Sequence, residues 1–144
     1  GLEGHVVFLG AVNGDAKWRL LREADVFVLP SYQENFGVSV AEAMAAGVPV
    51  VISRQVGIWN EVHQAQAGFT VGFNKEELAD ALDRLLQDEA LRHRMGANGK
   101  LFVRRHLTWE QVVRELVHRY EQILNGSLPS IEPISIEPIS SPQG

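Results

Sequence analysis

Two carboxylates, Glu34 and Glu42, stand eight positions apart in the run Pro30-Ser31-Tyr32-Gln33-Glu34-Asn35-Phe36-Gly37-Val38-Ser39-Val40-Ala41-Glu42-Ala43-Met44. Carboxylates accept hydrogen bonds from hydroxyls. Between them, Phe36, Gly37 and Val38 fall where a helix would open. The first turn of a helix presents unpaired N–H groups and a partial positive charge, which suits a diphosphate. Gly37 would let the backbone come close to such a ligand. Donors for phosphate beside acceptors for hydroxyls point to a sugar nucleotide. Two neighbours have two readings each. The Ser31 hydroxyl could bond a phosphate or its own turn, and the Tyr32 ring could stack on a base or simply stand exposed.

The elements that must hold this run are legible from hydrophobic patterning. Residues 25–29, Asp-Val-Phe-Val-Leu, read as a buried strand leading into it, and residues 48–52, Val-Pro-Val-Val-Ile, as the next. An alanine-rich helix is expected between them from Val38 to Ala46, stopped by Gly47 and Pro49. A loop at the carboxyl end of a parallel strand that opens a helix is where open α/β sheets bind ligands. Upstream, residues 5–9 read as a buried strand ending at Gly10, and a helix capped by Asp15 is expected to run to Glu23, with Trp18 and Leu21 facing the sheet. Downstream come a short helix over 58–64 and a strand at 68–71. Helices follow over a stripe at Leu78, Ala81, Leu82, Leu85 and Leu86, over 88–106 with Gly96 and Gly99 as weak points, and from a capping box at Thr108 to Asn125-Gly126. The order β-α-β-α-β-α-β and then helices predicts a doubly wound parallel sheet. The fold class is thus α/β, a partial Rossmann-like sheet of about four strands with C-terminal helices. Residues 1–126 are expected to form this nucleotide-binding domain. Residues 127–144 hold four of the six prolines and a tandem Ser-Ile-Glu-Pro-Ile, and predict a disordered tail.

The run from Pro30 to Val51 resembles the donor-binding signature of retaining glycosyltransferase family 4, the group-one, glycogen-synthase-like enzymes of GT-B fold. The family pattern is Pro-Ser, a Glu, Phe-Gly, and a second Glu with seven residues between the two, then Ala-Met-Ala-x-Gly-x-Pro-Val-Val. Each element stands here. The resemblance covers roughly residues 5–124. It implies that Glu34 sits by the donor sugar as the catalytic carboxylate and that Glu42 takes the ribose hydroxyls. It also implies that backbone at Asn35, Phe36, Gly37 and Val38 lies against the donor sugar and phosphates. Asn35 fills a variable position that is often glycine. Residues 57–61 resemble the family's second loop, Gly-Gly followed by a glutamate, with Val56 in place of the first glycine; Glu61 is expected to cap or pair on a helix.

The resemblance further implies a sugar nucleotide as donor substrate, no cofactor and no metal, and a sugar or glycolipid acceptor held by a first domain. It implies an Arg and a Lys early in the second domain that grip the diphosphate. This chain begins at what resembles that domain's third strand, so the acceptor domain and the cationic pair are expected to be missing. Arg54 is near the run, but nothing in the sequence aims it there. The first reading is therefore the donor-binding portion of a glycosyltransferase for polysaccharide or glycoconjugate synthesis, inactive as an isolated chain. The alternative is a non-catalytic module that binds a nucleotide or a partner chain. A dinucleotide-binding oxidoreductase fits poorly, since the Gly10–Gly14 stretch lacks the third glycine of that fingerprint.

Composition sets bounds on these readings. At 144 residues with 45% hydrophobic side chains, the chain can bury a core. A net charge of −5 without a basic stripe argues against a nucleic-acid partner. Cysteine is absent, which excludes disulfide frameworks and thiolate chemistry. His5, His63, His93, His106 and His118 form no metal-ligand spacing, and residues 96–100 lack the Walker spacing of a phosphate loop. With no signal peptide or membrane span, the expected place is the cytoplasm, with the full enzyme peripheral at a membrane. A strand at 5–9 whose neighbours are missing would leave backbone groups unpaired, so it is expected to be rearranged or unstable, or to drive self-association through an exposed sheet edge.

Overall fold

The computed structural model describes residues 3–126, so the tail expected at 127–144 lies outside the described residues. The chain divides into two compact units, one up to Thr108 and one from Trp109 onward. In the first, three parallel strands lie side by side in the order β1 (Phe27–Leu29), β2 (Val50–Ser53), β3 (Gly68–Val71). Val28 aligns with Val51, and Val51 with Phe69. The connections are helices: α1 (Gly14–Glu23) before β1, α2 (Val38–Ala46) between β1 and β2, α3 (Trp59–Ala65) between β2 and β3. Then come α4 (Lys75–Gln87) and α5 (Glu89–His106).

Strand β2 is buried along its whole length, which is what a continuous Val-Val-Ile run demands of a central parallel strand. Its side chains alternate between two cores. Val50 and Ile52 join Val40, Ala43 and Met44 of α2 and Val62 of α3, with Leu21 of α1 packed against them. Val51 joins Val71 of β3, Ala81 and Leu85 of α4, and Leu91 of α5. Both faces of the sheet are therefore covered, as a doubly wound arrangement requires.

The expected strand at 5–9 is not one, and the sheet has three strands rather than about four. Residues 6–10 carry no regular structure, and Val7 and Phe8 are 76% and 94% exposed. No described strand lies beside this segment, so its N–H and C=O groups have no ladder to join. Helix α1 begins earlier than expected, with Asn13 at the cap position and Asp15 in the first turn, where its charge suits the helix dipole. Asn74 and Asp88 cap α4 and α5 by accepting the N–H of Glu76 and Leu91, each at 2.8 Å. Gly96 and Gly99, read as weak points in α5, are buried where α5 crosses α2; a Cβ on Gly96 would stand 2.0 Å from the Gly47 carbonyl oxygen. In the second unit, α6 (Trp109–Leu124) carries the expected apolar stripe with its side chains exposed, and turns at Gly126.

Candidate functional site

The connection from β1 to α2 carries every residue singled out at the start. Ser31 follows the strand end, and its carbonyl accepts the Ser53 hydroxyl from the end of β2. This bond from a side chain to the backbone ties the two strand ends together; the Ser31 side chain takes no part in it. Next, the connection after β2 zips onto the run. Glu34 N–H donates to Gln55 O (3.2 Å), Gly57 N–H to Glu34 O (2.9 Å) and Ile58 N–H to Phe36 O (3.0 Å). Two loops at the carboxyl edge of the sheet thus form one hydrogen-bonded unit.

Two glycines make this closeness possible. Gly37 occupies the cap position of α2 with φ 89°, the left-handed region, and a Cβ there would lie 2.7 Å from Val56 Cγ1. Gly57 passes so near the run that a Cβ would stand 2.0 Å from the Asn35 carbonyl oxygen. The position that departs from the Gly-Gly pattern, Val56, is fully buried in the core beneath Gly37. Gly37 O accepts Val40 N–H at 2.9 Å and offers no capping side chain, so the Val38 and Ser39 N–H groups remain directed outward from the start of α2. Phe36 and Val38 are exposed beside them.

The two carboxylates differ in setting. Glu34 is exposed, and among the described residues its carboxylate has no partner. Glu42, one turn into α2, is half-buried and accepts Lys17 Nζ of α1 at 2.6 Å. Lys17 was not among the residues picked out from sequence. Its signal was its place four residues before Leu21, on the α1 face that turns to the core and to α2. Tyr32 stacks on Phe73 after β3, with ring centroids 4.6 Å apart and planes 18° apart. The two rings border a cavity of about 280 Å³ with Pro30 and Lys75.

This geometry stands beside clear likenesses. Residues 1–102 match the family model for glycosyl transferases group 1. The chain belongs to that family. It is 38% identical over 122 residues to an uncharacterized glycosyltransferase of Methanocaldococcus jannaschii, covering 84% of this chain and 31% of that protein. It is 38% identical over 125 residues to a phosphatidyl-myo-inositol mannosyltransferase of Mycobacterium leprae, covering 85% of this chain and 33% of that one. Among solved structures, it is similar to sucrose-phosphate synthase of Thermosynechococcus elongatus, with TM-score 0.62, 35% identity, and coverage of 72% of this chain and 26% of that one. It is also similar to the C-terminal domain of a glycosyl transferase group 1 family protein of Francisella tularensis, with TM-score 0.62, 28% identity, and coverage of 71% and 53%. The α/β architecture is that of GT-B glycosyltransferases, and the chain spans about a third of the length of the first two relatives.

Glu61 lies in the first turn of α3, where its charge suits the helix dipole; Ile58 holds the cap position, and among the described residues the shielded Glu61 Oε2 has no hydrogen-bond partner. Among the described residues no helix is long and apolar enough to cross a membrane.

Proposed function

We propose that this chain is the donor-binding part of a retaining family 4 glycosyltransferase, and that its ligand is a nucleoside-diphosphate sugar. The observation that carries the reading is the zipped pair of loops around Gly37. It places an outward-facing helix start between one exposed carboxylate, Glu34, and one braced carboxylate, Glu42. Transfer from such a donor breaks a sugar–diphosphate bond through an oxocarbenium-like transition state, and negative charge builds on the departing diphosphate. Fixed N–H donors at Val38 and Ser39 stabilise that charge without moving a proton. Glu34 serves the donor sugar, and Glu42 accepts the ribose hydroxyls; Ser31 is left with the phosphates or its turn. The acceptor and the catalytic groups that meet it belong to a further domain, which is consistent with the share of its relatives that this chain spans. The isolated chain is accordingly expected to lack transferase activity and to act where sugar nucleotides are made, in the cytoplasm.

The test uses a protein in which these residues are joined to an acceptor-binding half. Glu42→Ala should weaken donor binding by about 1–3 kcal/mol, the cost of leaving hydroxyls without partners. Glu34→Ala should lower kcat more than donor affinity, because its contact strengthens in the transition state. Unchanged kinetics in both variants would remove the basis for the assignment.

A further inference from the structure

At the amino end of β3, the end opposite the zipped loops, α3, α4 and α5 border a cavity of about 360 Å³. Its charged walls are His63 of α3, Arg84 of α4 and Arg94 of α5, and no carboxylate lines it. The chain as a whole carries a net charge of −5, so this spot runs against the general sign. Arg84 has Asp80 one turn earlier on α4, the spacing at which a helix pairs opposite charges. It lies instead over the Phe69 ring of β3, 4.6 Å from the centroid. Asp83 holds Gln87, and Asp88 caps α5. Among the described residues no carboxylate forms an ion pair with His63, Arg84 or Arg94.

We propose that this cavity binds a phosphate monoester, carried by a small soluble molecule or by a lipid headgroup. A guanidinium stacked on a ring has its fork held in place while the N–H groups along its edge stay free. A phosphate takes such a fork bidentately. At neutral pH a monoester carries about two negative charges, and the second calls for a second cation. Arg94 supplies it from the α5 face that also carries Met95 and Asn98, and the His63 ring adds an N–H donor. A carboxylate ligand, with one charge, would leave Arg94 unmatched. A nucleic acid would need a basic stripe, which the chain lacks. Gln66 is an independent sign. It sits in the left-handed region at φ 52°, the one non-glycine residue with positive φ among the described residues, at the end of α3 where glycine is the usual choice. Strain of this kind gathers at ligand sites and persists where neighbours hold it. Asn98 holds it here, its Nδ2 donating to Gln66 O at 3.3 Å. The glutamine sets a side-chain amide on the cavity wall, where glycine would set nothing. The site shares no residue with the zipped loops, so it stands independently of the donor reading.

The experiment titrates the 144-residue chain with glycerol 1-phosphate at millimolar concentration, following amide shifts by NMR. A second arm measures co-sedimentation with phosphatidylcholine vesicles, with and without phosphatidic acid. The soluble ester should move the amides of residues 66–69 and 94–98 and leave residues 37–42 in place, and added salt should weaken it. Arg84→Gln and Arg94→Gln should each weaken binding about fivefold, the upper range for a partly exposed charge pair, and the double change should abolish it. Both positions are exposed, so neither change should move the thermal midpoint much. Gln66→Gly relieves the backbone, so it should fold at least as well as the parent while binding more weakly. Binding of glycerol 1-phosphate supports the site with a small soluble ester as ligand. Binding only to vesicles that contain phosphatidic acid, lost in the double variant, supports it with a lipid headgroup. Acetate moving the same amides as strongly would overturn the assignment to phosphate. No response in either arm, or a response that survives the double change, would overturn the proposal and leave the cavity an ordinary solvated surface.

Discussion

Glu34 and Glu42 are separated by a short stretch of chain, yet they have different physical situations. Glu34 is held by its backbone, through bonds to Gln55 and Gly57, while its side chain is left to solvent. Glu42 is held by its side chain, through Lys17. A ligand that reaches both meets one adaptable carboxylate and one fixed one. Gly37 sits at the centre of this arrangement and has two independent reasons to be glycine, its φ of 89° and the contact with Val56. Gly37→Ala should therefore lower unfolding free energy by about 1–3 kcal/mol, the range for forcing an L residue into a sparsely populated backbone conformation. Urea unfolding measures this, and a stability equal to the parent's would show that the cap can rearrange. The run itself was readable because its residue types and order are long and specific. Lys17 was not, because its role depends on which helix face meets α2, and a single lysine in an amphipathic helix carries no such mark.

At the scale of elements, what could be read from sequence depended on whether an element's partner is encoded locally. Helix α4 was visible from its leucine stripe, although Asn74, its cap, was not picked out. Asn74→Ala should cost about 1 kcal/mol by removing the bond to Glu76 N–H, and a change in urea midpoint under a few tenths of that would show water replacing the cap without loss. Strand β2 was visible because Val-Val-Ile between a Pro and a Ser can be little else than a buried strand, though the ladder starts at Val50 rather than Val48. Residues 5–9 have the same apolar look and are not a strand. Hydrophobic content tells how much a segment wants burial, while a parallel strand also needs a neighbour on which to pair, and that neighbour is remote in sequence. Gly96 and Gly99 show the converse error. Helix propensity counts them as weak points, whereas tertiary packing uses their missing side chains to bring α5 onto α2.

For the molecule as a whole, the open side of β1 sets the behaviour expected in solution. Phe27 N–H bonds to Pro49 O toward β2. Alternate residues of a parallel strand bond to opposite sides, so Val28 directs its N–H and C=O to the edge that no described strand covers, and the residue is 37% exposed. Nearer the start of the chain, Val6, Val7, Phe8 and Leu9 expose apolar surface and, among the described residues, join no strand. An unpaired edge and an unpaired apolar segment in one chain can satisfy each other between two copies, segment of one on edge of the other. The 144-residue chain should therefore associate with rising concentration, its net charge of −5 offering only modest repulsion. Sedimentation equilibrium gives the association constant, and hydrogen exchange locates it. Protection at Val28 and at residues 6–9 should grow with concentration, while the amides of β2, already paired on both sides, should stay protected throughout. Phe8→Lys places a charge in the segment without touching either core, so it should return the chain toward monomer with β2 protection intact. A parent chain that stays monomeric at high concentration with residues 6–9 exchanging freely would show that the open edge is tolerated as it stands.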